Sequence, residues 1–147
     1  MRFLAVGSCA LFGHRDVGRR RFFADQTYHF QTLRVLNDIA ADGADTSEVL
    51  ETIKHIHAGD AQGWFRAWSQ TGDRVAALAS ATTDHVAKGR ALLRAHNYYR
   101  TAEFFLPPED LKRRVSAKKT YGLFTPGLTH SVSHMNALGH PTGRAIT

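Results

Sequence analysis

ALLRAHNYYRTAEFFL, residues 91–106, decides the fold. Placed on a helix that turns about 100° per residue, Ala91, Leu92, Ala95, Tyr98, Tyr99, Ala102, Phe105 and Leu106 fall within about 140° of arc. A stripe that wide is a core-facing surface. Its three alanines let a neighbouring helix come close, and the tyrosine rings fill the space beside them. Buried tyrosine hydroxyls need partners, which Asn97 or an arginine can supply. The opposite side carries a second apolar spot, Leu93 and Phe104, between Arg100 and Asn97. Arg100 and Glu103 are spaced to pair at i, i+3. A helix with two apolar regions asks for contacts on two sides, either another helix or a separate partner.

Outward from this segment the body reads helical throughout, with no sustained period-2 alternation and no Asn-Gly or Asp-Gly hairpin turn. The first helix is expected from near Asp25 to Ala41. Phe30, Leu33, Leu36 and Ala40 recur at helical spacing, with Tyr28, Thr32, Val35 and Ile39 as a second line beside them, and Gly43 is a natural stop. Asp45-Thr-Ser-Glu48 has the form of an N-terminal box, in which Asp45 accepts from a free N–H and Glu48 reaches back. Val49, Leu50, Ile53 and Ile56 then make the inward face of a short second helix. His57-Ala-Gly-Asp60 is turn chemistry, with Asp60 placed to cap a third helix over about Ala61–Thr83. There Trp64, Trp68, Val75, Ala79 and Thr82 share one side, and Gly72 suggests a bend. The fourth helix covers roughly Val86–Leu106. Pro107-Pro108 ends it, and Glu109 and Asp110 suit the start of a fifth, basic helix over about 109–121. From Gly122 onward Gly, Pro, Ser, Thr and His dominate without a period, which reads as a loop or tail.

The chain has 147 residues, 43% hydrophobic and 10% aromatic, enough for one domain with a real core. No apolar run approaches the ~20 residues of a membrane span. The net charge of +6 is unevenly placed. Residues 111–147 hold six basic side chains and no acidic one, and the first 21 residues are rich in arginine. The stretch 22–110 is slightly acidic, with 8 basic against 12 acidic residues. Basic ends on an acidic body read as solvated tails rather than as the basic stripe of a nucleic-acid binder. The single cysteine, Cys9, excludes an internal disulfide framework and a cysteine-rich zinc site, and it suits a reducing, cytoplasmic setting. The start, MRFLAVGSCALFG, imitates a short secretory leader, but its apolar part is too short for one.

Catalytic patterns are missing. No G-x-S-x-G occurs, and Ser131, Ser133 and His134 lie in the tail without a strand, an elbow or an acidic third member. His55 and His57 fall on different helical faces, while His130, His134 and His140 are strung along loop, so no metal set is expected. No phosphate-cradling loop and no dinucleotide fingerprint is present. Trp64 and Trp68, at i, i+4 beside Phe65, could line a ligand pocket, although such pairs more often sit in a core.

Three strings taken in order, ADTSEVLETIKHIHAGD, GWFRAW and LLRAHNYYRTAEFFL, resemble the helical N-terminal region of certain alpha/beta-hydrolases. That group includes the pseudooxynicotine hydrolases, the fermentation–respiration switch protein relatives, and fungal hydrolases that shorten polyketide chains. The resemblance covers about residues 22–124 and is most specific at NYYRTAEFFL, 97–106. It implies a helical cap that precedes and closes over a catalytic domain carrying the serine, acid, histidine and oxyanion hole. It also implies action on esters or on carbon–carbon bonds beside ketones. No catalytic residue carries over, because the matching strings end near Phe124. The acid-free tail, so unlike the body, suggests truncation, a shifted reading frame or a faulty gene model.

The expectation is therefore an all-α bundle of about four to five helices with an irregular C-terminal tail. Residues 1–21 form a basic segment, 22–121 the cap-like domain and 122–147 the tail. Its role is that of a hydrolase cap fragment, not catalytic by itself and needing no cofactor or metal. Its partner is the absent catalytic domain, with no nucleic acid and no membrane. The alternative is a free-standing helical interaction module that binds a protein partner or an apolar ligand. The candidates for lining a substrate pocket or docking a domain are Trp64, Trp68, Leu93, Asn97, Tyr98, Arg100 and Phe104.

Overall fold

The computed structural model describes residues 21–123. The expectations for the basic N-terminal segment, and for the tail beyond 123, lie outside the described residues. Within them the chain is a bundle of five helices, and among the described residues there is no strand. They are α1 (Gln26–Asn37, extended by a 3-10 turn, Asp38–Ala41), α2 (Thr46–Ile53), α3 (Ala61–Ala81), α4 (His85–Ala102, extended by a 3-10 turn, Glu103–Phe105) and α5, helical over 111–123. The fifth helix thus starts two residues later than its basic pattern predicts, and it runs through Gly122. Among the described residues no helix is long and apolar enough to cross a membrane.

Aspartates start all five helices. Asp25 accepts from the Thr27 and Tyr28 N–H groups, Asp45 from Ser47 and Glu48, Asp60 from Gly63, Asp84 from Ala87 and Asp110 from Lys112. Each satisfies backbone donors that the first turn leaves open and places negative charge at the positive helix end.

The α3–α4 hairpin is the frame. A three-residue link joins these helices, and the Trp64 indole N–H, near the start of α3, donates to the Thr101 carbonyl at the end of α4 (2.7 Å), so they run antiparallel. Close approach is set by small residues. Ala91, Ala95 and Ala102 on α4 are buried, as are Ala67, Gly72 and Ala79 on α3. Gly72 does not break α3. A Cβ there would stand 2.8 Å from the Tyr99 ring, so the glycine leaves room for tyrosine rather than marking a bend.

Trp64, Trp68 and Tyr98 are fully buried. Tyr28 stacks on Phe105 at 4.2 Å, and Trp64 meets both rings edge-on, at 5.3 and 5.0 Å. Such edge and offset geometries add to the area each ring buries. The tyrosine at position 28 therefore fixes which side of α1 faces in. Tyr28, Thr32 and Val35 are buried, whereas Phe30 and Leu33 of the other apolar line are exposed. The left-handed residue after α1 is Asp42 (φ 57°), not Gly43. Gly43 serves a different end: its carbonyl accepts from the Asn97 side chain at 3.0 Å, and a Cβ would collide with that amide. In α2, Val49 is buried and Leu50 is exposed, so the inward face is narrower than its four apolar residues predict.

Helix α5 inverts the usual pattern. Its buried residues are Ser116 and Thr120, while Leu111 (71% exposed), Val115 (56%) and Tyr121 (76%) point outward. Polar bonds hold it. Ser116 Oγ donates to the Tyr99 carbonyl (2.7 Å), Lys119 meets Asp73 (2.5 Å), and the His96 ring bonds the Thr120 carbonyl (2.9 Å).

Candidate functional site

A cleft of about 440 Å³ opens where α1, α4 and α5 come together. Helix α1 contributes Arg34 and Asp38, α4 and its 3-10 end contribute Asn97, Arg100, Glu103 and Phe104, and α5 contributes Arg113. Three of the seven candidates from the sequence, Asn97, Arg100 and Phe104, meet here. Phe104 is 43% exposed and gives the cleft an apolar wall. Leu93 stays partly exposed but lies eleven residues from Phe104, about 16 Å along a helix rising ~1.5 Å per residue, so the two do not form one spot. Trp64, Trp68 and Tyr98 have no exposed surface with which to line a pocket or meet a second domain. Each is an anchor of the bundle's own interior, because the α3–α4 contact closes over them.

The lining is set by neighbours. Asn97 is tethered to the Gly43 carbonyl. One Arg113 nitrogen donates to the Leu106 carbonyl at 3.0 Å, across the Pro107-Pro108 turn. The Arg100–Glu103 ion pair that their spacing allows does not form, and among the described residues Arg100 has no carboxylate within 4.0 Å. Burial raises the Asp38 carboxyl above its usual range, and the charges of Arg34 and Arg100 counter only part of that.

A separate hydrogen-bond network joins α2 to α4. Glu48 does not reach back to its own helix cap. Its carboxylate is bonded by Arg94 Nε (3.0 Å) and by the Tyr98 hydroxyl (2.6 Å), which in turn accepts from the Asp45 N–H (2.9 Å). The tyrosine has taken over the second half of the capping box and ties α2 to α4. Burial, and then the bond to Glu48, push the Tyr98 hydroxyl far above the usual phenol range, so it stays a donor. Tyr99 is likewise raised, by burial and by its bond to Asp73. The sequence signals for Arg34, Asp38 and Arg113 were weak, since each reads alone as a solvated charge on a helix surface.

Among the described residues, no serine, cysteine or histidine lines the cleft. It offers charge, hydrogen bonds and one aromatic face. Among the described residues no group of three His, Cys, Asp or Glu could hold a metal ion. Ser131, Ser133, His130, His134 and His140 lie outside the described residues.

No family model matches the chain, and no solved structure matches it. Curated relatives do. Hydrolase acrC of Aspergillus aculeatus is 35% identical over 113 residues, 74% of this chain and 26% of that protein. The 20-hydroxy-prefusarin hydrolase FUS2 of Gibberella moniliformis is 33% identical over 112 residues, 73% of this chain and 27% of its own length. Alpha/beta hydrolase psoB of Aspergillus fumigatus is 35% identical over 89 residues, 58% of this chain and 20% of its own. The chain spans about a quarter of the length of the curated relatives it matches. These relatives are fungal hydrolases, and the chain corresponds to a part of a protein of that hydrolase family.

Proposed function

We propose that the bundle is the cap of an alpha/beta-hydrolase that cleaves esters or carbon–carbon bonds beside ketones. In this reading it shapes one wall of a substrate pocket and performs no chemistry itself. The observation that carries it is α5, whose apolar residues Leu111 and Val115 face outward while Ser116 and Thr120 face the bundle. Burying one such side chain is worth about 1.5–3 kcal/mol, so an outward apolar row on a helix held by polar bonds fits a surface shaped for a second body. Exposed Phe30 and Leu33 on α1 supply a further apolar area. The partner in this reading is the catalytic domain, and neither nucleic acid nor membrane is involved. The single cysteine is the reason to place the protein in the cytoplasm.

A chimera tests this. In 20-hydroxy-prefusarin hydrolase FUS2 the matching region is deleted or replaced by this chain, and consumption of 20-hydroxy-prefusarin is followed. Rescue by the chimera of activity lost on deletion is the expected result. A folded chimera as inert as the deletion would overturn the cap reading. The chain alone should not turn over nitrophenyl acetate, and turnover that survives Ser131→Ala and Ser133→Ala would reveal a nucleophile elsewhere. A second reading, a free-standing interaction module, is favoured by the sealed Trp64–Trp68–Tyr98 interior, which needs no second body to close it.

A further inference from the structure

Between elements of this bundle, opposite charges usually meet. Glu48 pairs with Arg94 at 3.0 Å, Asp73 with Lys119 at 2.5 Å and Asp42 with Arg90 at 3.2 Å. The cleft between α1, α4 and α5 departs from this. Arg34 and Arg100 line it, and among the described residues neither has a carboxylate within 4.0 Å. Arg34 makes only a long contact, 3.4 Å, to Gln31. Asp38 and Glu103 line the same cleft, and neither is in an ion pair there. Asn97, Thr101 and the exposed ring of Phe104 complete the wall.

This combination defines a ligand. Guanidinium groups recognise a planar carboxylate through paired N–H donors. With Arg34, Arg100 and Arg113 set against Asp38 and Glu103, the cleft carries a small positive excess that suits a monoanion better than a dianion such as phosphate, and the two carboxylates accept from hydroxyl groups. Phe104 offers a face for a ring or an alkyl body. A volume of about 440 Å³ accommodates such a molecule. We propose that the cleft between α1, α4 and α5 binds a hydroxylated organic carboxylate, its acid group on Arg34 and Arg100, its hydroxyl toward Asp38 or Glu103, and its body against Phe104. This deepens the cap reading, and rests on it, in taking the cleft as substrate-pocket wall. Binding itself is a property of the bundle.

The probe is 4-hydroxybenzoate, titrated into the full 147-residue chain and followed by amide and side-chain chemical shifts. Saturable shifts should gather at the Asn97 side-chain amide, Thr101 and Arg113. Arg34→Gln and Arg100→Gln should each weaken binding about fivefold, and the pair should abolish it. Arg66→Gln, in the separate pocket between α2 and α3, should leave it unchanged. Both arginines are exposed, so these variants should keep the circular dichroism of the parent. Equal binding of neutral 4-hydroxybenzyl alcohol, tighter binding of inorganic phosphate, unchanged affinity in the folded double variant, or no saturable shift would each overturn the proposal. An inert FUS2 chimera beside a chain that still binds the acid would sink the cap reading and leave the ligand class standing.

Discussion

Tyr98 joins two helices through one hydroxyl. It donates to Glu48 and accepts from the Asp45 N–H, so Tyr98→Phe strips a buried acceptor from a helix N-terminus and a donor from a carboxylate. Leaving such groups unsatisfied costs about 1–3 kcal/mol. The variant should lower the urea midpoint accordingly with an unchanged slope. Glu48→Gln should cost less after Tyr98→Phe than before it, because both act on the same bonds. The Asp45 cap was legible from four adjacent residues. Its tyrosine partner lies 53 positions away, and nothing in the local pattern distinguishes Tyr98 from Tyr99. Gly72 shows the same limit. Its local meaning is lost helix propensity, about 1 kcal/mol, while its real role is the Tyr99 ring held against it by Asp73. Gly72→Ala should regain that propensity yet pay about 1–3 kcal/mol in overpacking, for a net loss near 1 kcal/mol in the same urea assay.

Among the elements, α5 is the least secured. Its fully buried side chains are Ser116 and Thr120, and only Leu123 near its end packs on the core, so it buries little apolar surface, and local opening free energy tracks such burial. Amide exchange in 111–123 should outpace that in α3 and α4 by orders of magnitude. Two of its anchors are titratable. Burial holds the His96 imidazole below its usual range, with Arg100 adding repulsion, and its bond to a carbonyl fixes the Nδ1–H tautomer. Glu103 and Tyr121 line the same groove. Burial pushes the Asp73 carboxyl up, but bonds from Lys119 and Tyr99 outweigh it and leave it lowered. Both groups are depressed in the folded state, so the unfolded chain binds more protons and stability is lost as the pH is lowered. The His96 contribution is complete above about pH 6.5 and is lost below it, and that of Asp73 is lost below about pH 3.8. Urea midpoints measured from pH 7.5 to 5 should decline, and His96→Gln should flatten the decline. Helix α1 marks where element-level reading stopped. Its two apolar lines were plain, but choosing between them needed the Phe105 and Trp64 rings that select Tyr28.

At the scale of the whole molecule, the aromatic interior and the outward apolar rows answer different needs and can be separated by mutation. The helical class and the helix order were legible because the apolar stripes are wide and aspartate caps and prolines punctuate them. The cleft was legible only along α4, where Asn97, Arg100 and Phe104 sit within eight residues, since Arg34, Asp38 and Arg113 reach it from helices whose packing no local period encodes. The outward rows supply the decisive experiment. Leu111→Glu with Val115→Glu replaces side chains that are already more than half exposed, and Phe30→Glu with Leu33→Glu replaces a pair that is about half exposed. Exposed substitutions of this kind shift stability by within about 0.5 kcal/mol each, so the isolated chain should keep its urea midpoint. If α5 meets a catalytic domain, the first pair should cut turnover of the FUS2 chimera tenfold or more, because two charges would be buried in an apolar contact. The α1 pair reports separately on whether Phe30 and Leu33 share that contact. A chimera that tolerates the α5 pair at full rate would mean that the outward leucine and valine face only solvent, and the reading of α5 as a docking helix would fall while the fold remained as described.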